Sequence, residues 1–366
     1  MDTPMLSDSA LANALNNIKP EIRNLNGYTA PPQGKVIAKL NQNENPYDIP
    51  PEWKSAIFQE IQQLEWPRYP QYSPESIRQR LAARFNVSAD QILLGHGSNQ
   101  LLYLMGSSVI TPGDQVIIST PTFSLFELVM RIYQARVVNI PKIEFGLDME
   151  RILEAARSAR LTLLCSPDNP TGAAVPLEQL RAILEQTDGL VLWDEAYVEF
   201  GGDTALPLLG QYPNLLISRT FSKAFGLAGL RFGYIIAHPA LLRELQKANI
   251  PYNVNSFTLT VVNTLLDHSE WMDEQVRKIT SERQKLFDGM RKIPQIKPYN
   301  SEANFILFEV SDKRHVFEAL KSQGILVRDV GSSPPLDHCL RVTVGTPEEN
   351  DIFLRALEKI MLNFEC

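Results

Sequence analysis

The sequence predicts an α/β fold in which a mostly parallel sheet is followed by a smaller α+β region. Between about residues 75 and 250, short apolar runs alternate with helical stretches, a pattern typical of strands buried on both faces. In the last third, shorter strand-like runs alternate with two helical stretches. The predicted strands of the large sheet are Gln91–Leu94, Asp114–Ile118, Ala135–Ile140, Leu161–Cys165, Gly189–Trp193, Leu215–Arg219 and Phe232–Ala237.

The remaining elements follow from the spacing of apolar residues and from the positions of Pro and Asn. An Asn- and Pro-rich loop is predicted at Asn41–Pro51, after a Pro-rich arm. Helices are predicted at Ser9–Ile18, across Leu241–Met290 with breaks near Pro251 and His268, at His315–Ser322 and from Pro347 onward. Further strands are predicted at Asn304–Phe308, Ile325–Val327 and Leu340–Val344. We therefore expect an N-terminal arm (1–41), a large domain (42–268) and a small C-terminal domain (269–366).

The composition argues against several classes of protein. The 366 residues carry a net charge of −7 and no dense block of Lys or Arg, so a nucleic-acid-binding surface is not expected. No apolar run approaches the ~20 residues that span a bilayer, and the first ten residues lack the features of a signal peptide. Three scattered cysteines and five unclustered histidines predict neither a disulfide framework nor a metal site. We expect a cytoplasmic protein.

The segment Thr220–Gly233 places one lysine, Lys223, between hydroxyl residues and a Gly-rich run. Its neighbours are small or apolar, and burial of a lysine frees the amine for reaction with a carbonyl. The hydroxyls of Thr220 and Ser222 and the guanidinium of Arg231 suit a phosphate monoester. A ligand that is both an aldehyde and a phosphate is pyridoxal 5′-phosphate. The same segment also fits an ordinary buried turn.

Polar residues also follow two other predicted strands. Asp194 ends an apolar run, at the edge where open α/β sheets bind ligands. Its carboxylate would keep a pyridine nitrogen protonated, and Tyr197 would donate to the 3′ oxygen of the same ring. Asn169, in the motif S-P-D-N-P-T-G, would donate to a ring oxygen. The alternatives are that Asp194 begins a helix and that Asn169 only shapes a turn.

Three further groups complete the candidate site. The loop G-H-G-S-N, with Ser98 and Asn99, precedes a helix whose N-terminus would attract a phosphate, unless these residues only cap the helix. Phe123 would stack on a planar ring or pack in the core. Arg328 and Arg341 lie in apolar strands and need an anion, which is either a carboxylate of the protein or a carboxylate or phosphate of a substrate.

Taken together, these residues resemble the fold-type-I pyridoxal-phosphate enzymes, within them the class-II aminotransferases, and most closely the histidinol-phosphate aminotransferase family. The resemblance extends over nearly the whole chain in order. It is carried by the motifs N-E-N-P, R-Y-P, G-H-G-S-N, P-T-F, S-P-D-N-P-T-G, D-E-A-Y, T-F-S-K-A-F-G-L-A-G-L-R and L-R-V-T-V-G. It implies a large domain with a mostly parallel seven-stranded sheet, a smaller α+β C-terminal domain, and pyridoxal 5′-phosphate as the cofactor.

The resemblance also implies a role for each candidate residue. Catalysis would use Lys223, which holds the cofactor covalently, together with Asp194 and Tyr197. The cofactor ring would contact Phe123, Asn169, Asp194 and Tyr197. The cofactor phosphate would contact Ser98, Asn99, Thr220, Ser222 and Arg231, and also Tyr69 from a second subunit, which implies a homodimer. The substrate would lie near Tyr28, Asn43, Asn45, Arg328 and Arg341.

The implied reaction is ping-pong transamination, in which histidinol phosphate and 2-oxoglutarate give imidazole-acetol phosphate and glutamate. Histidine biosynthesis would run it in reverse. Phe123 and Phe126 replace tyrosines of related enzymes, and G-H-G-S-N differs from the Gly-Ala-Asp loop of some members, so other substrates stay open. The alternatives are an aromatic amino-acid aminotransferase and a threonine-phosphate decarboxylase. A non-catalytic aminotransferase-like domain of a transcription regulator would need a DNA-binding module ahead of N-E-N-P.

Overall fold

The computed structural model describes residues 8–25, 36–331 and 334–362. The strands in these residues are β1 (Ala38–Lys39), β2 (Ile92–Gly95), β3 (Gln115–Thr120), β4 (Arg136–Pro141), β5 (Leu161–Cys165), β6 (Leu190–Asp194), β7 (Leu215–Thr220), β8 (Gly233–Ala237), β9 (Ile296–Pro298), β10 (Phe305–Val310), β11 (Ile325–Leu326), β12 (Arg328–Asp329) and β13 (Cys339–Thr343). The α-helices are α1 (Asp8–Leu15), α2 (Pro20–Arg23), α3 (Pro51–Gln62), α4 (Glu75–Phe85), α5 (Gly97–Val109), α6 (Leu125–Ile132), α7 (Met149–Ala156), α8 (Leu177–Gln186), α9 (Pro239–Ala248), α10 (Ser256–Asp267), α11 (Ser269–Met290), α12 (Lys313–Ser322) and α13 (Pro347–Leu362).

Seven strands of the described chain form the central sheet, in the spatial order β2-β8-β7-β6-β5-β3-β4. The pairs from β7 to β4 are all parallel, and β8 is antiparallel to both of its neighbours. Each of the seven predicted strands is confirmed. Their ends shift by one or two residues at most, as where Asp114–Ile118 is predicted and Gln115–Thr120 is observed. The predicted α/β class with a mostly parallel seven-stranded sheet is therefore confirmed.

Burial explains why these strands carry apolar residues at consecutive positions. Every residue of β5 and β7 is buried, because helices cover both faces of the sheet. Successive side chains of β6 enter separate cores, with Val191 and Trp193 on one face and Leu192 on the other. At the edge of the sheet, most residues of β4 are exposed or half-buried. Because the inner strands pack against a core on each face of the sheet, the positions of their C-terminal ends are fixed.

The last third of the chain forms a second, antiparallel sheet in the order β12-β13-β10-β9. Helix α12 packs on β10 and β13, and α11 packs on β9 and β10. Strand β1 pairs in parallel with β11, so the segment before the Asn41–Pro51 loop is fastened to this region. The predicted smaller α+β region is confirmed, whereas the boundaries at residues 41 and 268 stay predictions. The sequence did not predict β9, since a strand of three residues shows no clear alternation. Arg328 was expected in an apolar strand, and it lies in β12, which is separate from β11.

The helices also follow the sequence. The predicted helical region Leu241–Met290 divides into α9, α10 and α11, with breaks that include Pro251 and His268 as expected. The first predicted helix ends at Leu15 rather than at Ile18. In the described part of the chain, no helix is both long and apolar enough to cross a membrane. Over the same residues, no cluster of His, Cys, Asp and Glu has the arrangement of a metal site.

Candidate active site

The predicted cofactor residues meet at one edge of the central sheet. Strands β5, β6 and β7 run parallel, so their C-terminal ends lie side by side. Asp194 is the last residue of β6 and Thr220 is the last residue of β7. Asn169 lies in the loop after β5, and Lys223 lies in the turn after β7. The parallel sheet therefore gathers residues from three separate motifs.

Lys223 is half-buried beneath the loop that precedes α3. Its Nζ donates a hydrogen bond to the carbonyl of Gln42 (3.0 Å) and lies 5.7 Å from the centre of the Tyr197 ring. Burial, with a contribution from the guanidinium of Arg341, lowers the pKa of Lys223 to about 7. A large share of the amine is then uncharged at neutral pH, and an uncharged amine attacks carbonyl carbons.

Asp194 is only 6% exposed, and its Oδ1 accepts a hydrogen bond from the backbone N–H of Ala196 (3.0 Å). Burial raises the pKa of Asp194 to about 7, and the charges of Glu195 and Asp168 contribute to the rise. A cationic N–H placed against this carboxylate would favour its ionised form. The chain continues into the 3₁₀ turn Val198–Phe200 rather than an α-helix. Asp194 is therefore not an α-helix cap, and a pyridinium N–H suits its carboxylate.

The residues predicted to hold a phosphate surround the start of α5. Arg231 donates from Nη1 to the hydroxyl of Ser222 (3.2 Å) and to the carbonyl of Ala228 (2.9 Å). Gly97 adopts a φ of +78°, and a Cβ at this position would lie 2.7 Å from Nη2 of Arg231. The guanidinium therefore lies against the first turn of the helix, and the positive φ of Gly97 favours glycine at this position. A helix N-terminus beside a guanidinium suits a phosphate dianion.

Two predicted phosphate ligands lie inside the first turn of α5. The N-cap residue is His96, and its side chain makes no capping hydrogen bond. Ser98 and Asn99 follow Gly97, so the alternative that they cap the helix is wrong. On the facing turn, Thr220 donates from its hydroxyl to the hydroxyl of Ser222 (3.0 Å). Thr220 thus orients Ser222.

Asn169 and Tyr197 connect the predicted cofactor residues with the predicted substrate residues. Arg341 donates from Nη1 to Oδ1 of Asn169 and from Nη2 to the carbonyl of Asn41 (3.0 Å). Asn43 donates from its amide to the phenolic oxygen of Tyr197 (2.9 Å). Burial raises the pKa of Tyr197, so its hydroxyl keeps its proton and can donate it to an acceptor. These contacts join the small sheet to the edge of the large one.

The other predicted substrate residues lie beside this network. The register of β12 and β13 places Arg328 opposite Arg341, so both side chains leave the same face of the small sheet. Asp329, the sequence neighbour of Arg328, contacts Lys313 at 2.9 Å. Asn45 donates from its amide to the backbone carbonyl directly after the candidate catalytic lysine (3.0 Å). Two guanidiniums on one face of a small sheet suit two anionic groups of substrates.

Phe123 and Tyr69, two further predicted cofactor contacts, each pack against another aromatic ring. Phe123 is half-buried and packs edge-to-face on Phe126, with ring centres 5.7 Å apart. Tyr69 is 82% exposed and stacks on Tyr252, with ring centres 4.8 Å apart. Its position at the surface suits a side chain that reaches another subunit. Tyr28 lies outside the described residues.

Sequence reasoning missed two buried ion pairs beside the site. In the first, Nζ of Lys142 lies 3.0 Å from Oδ2 of Asp168, and in the second, Nη2 of Arg219 lies 2.6 Å from Oε2 of Glu195. Each acid directly adjoins a predicted cofactor residue in its motif, and that adjacency was the available signal. The basic partners, Lys142 and Arg219, come from other parts of the chain. No local sequence pattern connects them to the motifs that contain the acids.

Comparisons with known proteins agree with the family resemblance that the sequence motifs indicate. The profile of the family described as aminotransferase class I and II matches residues 35–357. The histidinol-phosphate aminotransferase of Chlorobaculum tepidum is 35% identical over 347 residues, which are 94% of this chain and 100% of that protein. The enzyme of the same name from Thermococcus gammatolerans is 38% identical over 330 residues, or 90% and 93% of the two chains. The crystal structure of histidinol-phosphate aminotransferase from Sinorhizobium meliloti in complex with pyridoxal-5′-phosphate superposes with a TM-score of 0.86 at 27% identity, over 95% and 98% of the two chains.

Proposed function

The chain belongs to the class I and II aminotransferases, and from that membership we propose that it is a pyridoxal-phosphate-dependent histidinol-phosphate aminotransferase of histidine biosynthesis. In the physiological direction, glutamate donates its amine to imidazole-acetol phosphate in the cytoplasm. The observation that carries the proposal is the meeting of Lys223, Asp194 and the anion site at Arg231 on one edge of the sheet. The amine, the acid and the anion site match the aldehyde, the ring nitrogen and the phosphate of one cofactor.

The residues present fit this cofactor. Lys223 would carry it covalently, and Asp194 would pair with its ring nitrogen. Asn169 and Tyr197 would contact its 3′ oxygen, and Phe123 its ring face. Its phosphate would lie among Ser98, Asn99, Thr220, Ser222 and Arg231. The raised pKa of Asp194 and the close approach of Arg231 to Gly97 are the two features of the chain that support this fit.

The cofactor supplies a carbonyl that accepts an amino group and a ring that takes up electrons. The chain itself has to move a proton. Lys223 is suited to this task because burial brings its pKa to about 7, where Nζ both accepts and returns a proton near neutral pH. Asp194 would hold its negative charge against the ring nitrogen, and Tyr197 would donate a hydrogen bond from its hydroxyl to the ring oxygen. The burial of Asp194 and Tyr197 keeps water away from these contacts.

The substrate groups are assigned to the cations of the small sheet. Arg341 would bind the α-carboxylate of glutamate, and Arg328 would bind the phosphate of histidinol phosphate. Their opposite positions on β13 and β12 allow the two anions to be held on one face. Asn43, Asn45 and Tyr28 would complete the substrate surroundings. This assignment separates histidinol phosphate from aromatic amino acids, which carry no phosphate.

The variant Arg328→Lys tests the substrate assignment. A lysine keeps the charge but loses the two-pronged contact with phosphate. We expect kcat/KM for histidinol phosphate to fall about tenfold to a hundredfold, and kcat/KM for glutamate to fall much less. Arg355→Lys is the matched control, because Arg355 is 81% exposed on α13. Equal losses for both substrates would make Arg328 structural and would favour an aromatic amino-acid aminotransferase.

A substrate panel distinguishes the remaining alternatives. Histidinol phosphate, phenylalanine and threonine phosphate are offered as amino donors, and the formation of glutamate from 2-oxoglutarate is measured. We expect histidinol phosphate to give the highest kcat/KM. Carbon dioxide released from threonine phosphate without glutamate formation would instead indicate the decarboxylase. A chain that turns over none of the three while binding the cofactor would oppose the proposed activity.

We also propose that the enzyme is a homodimer. Exposed aromatic rings gather on one part of the described surface: Tyr69 stacks on Tyr252, Tyr72 meets the same ring edge-on at 5.7 Å, and Trp66 packs edge-on against Phe257 at 5.5 Å. Trp66 is 68% exposed. Soluble monomers rarely expose such groups of rings, and Tyr and Trp are enriched where subunits meet. A second copy of the chain would cover them and receive Tyr69 at its cofactor phosphate.

Mixing two inactive variants tests the shared site. If Tyr69 serves the other subunit, a Lys223→Ala chain paired with a Tyr69→Ala chain has one intact site per mixed dimer. After exchange of subunits at equal concentrations, we expect recovery of about one quarter of the wild-type activity. The control mixes Lys223→Ala with Asp194→Asn. Both residues would serve the site of their own subunit, so each site of a mixed dimer would still carry one defect. A fully active monomer in light scattering would contradict the homodimer.

A further inference from the structure

A buried ion pair lies under the two loops that carry Phe123 and Asn169. The side chains of Lys142 and Asp168 are 3% and 1% exposed, and Nζ lies 3.0 Å from Oδ2. Lys142 directly follows β4, and Asp168 lies in the loop after β5. Neither residue belongs to the cofactor contacts assigned above.

Hydroxyl and carbonyl groups extend this pair into a cluster, here called the Lys142 cluster (Thr122, Lys142, Asp168 and Thr171). Thr122 donates from its hydroxyl to Oδ1 of Asp168, and Thr171 donates to Oδ2 (3.0 Å). Lys142 also donates to the backbone carbonyl of Pro121 (2.7 Å). The loop after β3 and the loop after β5 are thus tied to one carboxylate.

Two members of the cluster directly adjoin predicted cofactor contacts. Thr122 precedes Phe123, which would face the ring, and Asp168 precedes Asn169, which would face the ring oxygen. A hydrogen bond to each neighbour limits how far either contact residue can move. Stability alone is a weak reason for such an arrangement, because a buried ion pair is often no more stabilising than apolar residues of the same size. The placement of the cluster favours a role in holding the site.

The cluster also affects charge near Asp194. Although burial is the main cause of the raised pKa of Asp194, the negative charge of Asp168 adds to it. Lys142 supplies the positive charge that balances Asp168. Without Lys142, an unbalanced carboxylate beside Asp194 would disfavour its ionised form. Glu195, the other neighbouring acid, is balanced in the same way by Arg219.

We propose that Lys142 and Asp168 are positioning residues for the cofactor, which fix Phe123 and Asn169 around the ring, and that Lys142 balances the charge of Asp168 close to Asp194. The inference rests on the cofactor assignment in the proposed function. It does not depend on the identity of the amino donor.

Cofactor titration of the purified chain tests the inference. The apoenzyme is titrated with pyridoxal 5′-phosphate, and the Kd, the visible circular dichroism per bound cofactor and the Tm are measured. We expect Lys142→Met to raise the Kd about tenfold and to reduce the circular dichroism, since the ring is held less firmly. Lys142→Arg should restore most of the affinity because it keeps the charge. Lys247→Met is the control, since Lys247 is 70% exposed on α9.

Two further variants keep the test decisive. Thr122→Val removes the hydroxyl that ties the Phe123 loop to Asp168 and keeps the side-chain volume. We expect it to raise the Kd severalfold with little change in Tm, and it decides the question if Lys142→Met does not fold. The double variant K142M/D168N should recover part of the affinity lost in Lys142→Met, because no charge is left unpaired. If the double variant binds the cofactor no more tightly than Lys142→Met does, the proposed charge balance between Lys142 and Asp168 is wrong.

Wild-type Kd and circular dichroism in both Thr122→Val and Lys142→Met would overturn the positioning role, even if the Tm fell. Both readouts concern the cofactor alone. A wrong assignment of histidinol phosphate as substrate would therefore leave them unchanged, and would appear only in the substrate panel. The two failures are distinguishable.

Discussion

Replacing Lys223 with alanine is expected to abolish turnover, with kcat falling about 10⁴-fold or more. The substitution removes both the amine that would hold the cofactor and the group that would move the proton. In the wild-type enzyme, borohydride reduction followed by peptide mapping should place the cofactor label on Lys223. Because burial lowers the pKa of Lys223 to about 7, its amine would be the reactive one.

Lys247→Ala is the matched control for this experiment, because Lys247 is exposed and pairs with Glu244 on the same helix. It should keep wild-type turnover and the label on Lys223. A label on any other lysine of the wild-type chain would reject the assignment. So would the absence of a visible chromophore after the cofactor is added.

Asp194→Asn is expected to keep the fold and much of the cofactor binding while turnover falls by about two to three orders of magnitude. The amide oxygen of asparagine still accepts the hydrogen bond from Ala196, so the local turn is preserved. The negative charge that would keep the ring nitrogen protonated is lost. The measurements are kcat, the cofactor Kd and the Tm of the same preparation.

Asp288→Asn serves as the control, since Asp288 is exposed on α11 and contacts Gln284 of the same helix. It should leave kcat, Kd and Tm close to the wild-type values. Near-normal turnover in Asp194→Asn would reduce Asp194 to a residue that shapes the turn after β6. A large fall in Tm together with kcat would instead indicate a structural role.

The large sheet was predictable because its inner strands are mostly apolar. Leu161–Cys165 lies between two layers of helices, and all of its residues but Thr162 are apolar. Polar residues directly after such runs, including Asp194, were then expected to meet at the C-terminal edge. The bounds of β12 were not predictable in this way, because Arg328 and Asp329 are set off as a two-residue strand by their pairing with β13.

Contacts between segments that are far apart in the sequence could not be predicted from local patterns. The hydrogen bond from Asn43 to Tyr197 and the ion pair between Lys142 and Asp168 join residues that no local period relates. The motifs contain Asn43, Tyr197 and Asp168 but not Lys142. Which residues pair is decided by the packing of the whole chain, and local sequence patterns do not reveal that packing.

The pairing of Asn43 with the small sheet has a consequence for synthesis of the protein. Its backbone N–H donates to the hydroxyl of Thr343 across a sequence separation of 300 residues, and Arg341 bonds the carbonyl of Asn41 across the same separation. Every strand of the large sheet is therefore synthesised before β13. A nascent chain at that stage contains Asn169 and Lys223 but not Arg341, which contacts Asn169 in the complete chain. The proposed substrate site is complete only when the last part of the chain is made, so we expect chains that end before β13 to lack activity.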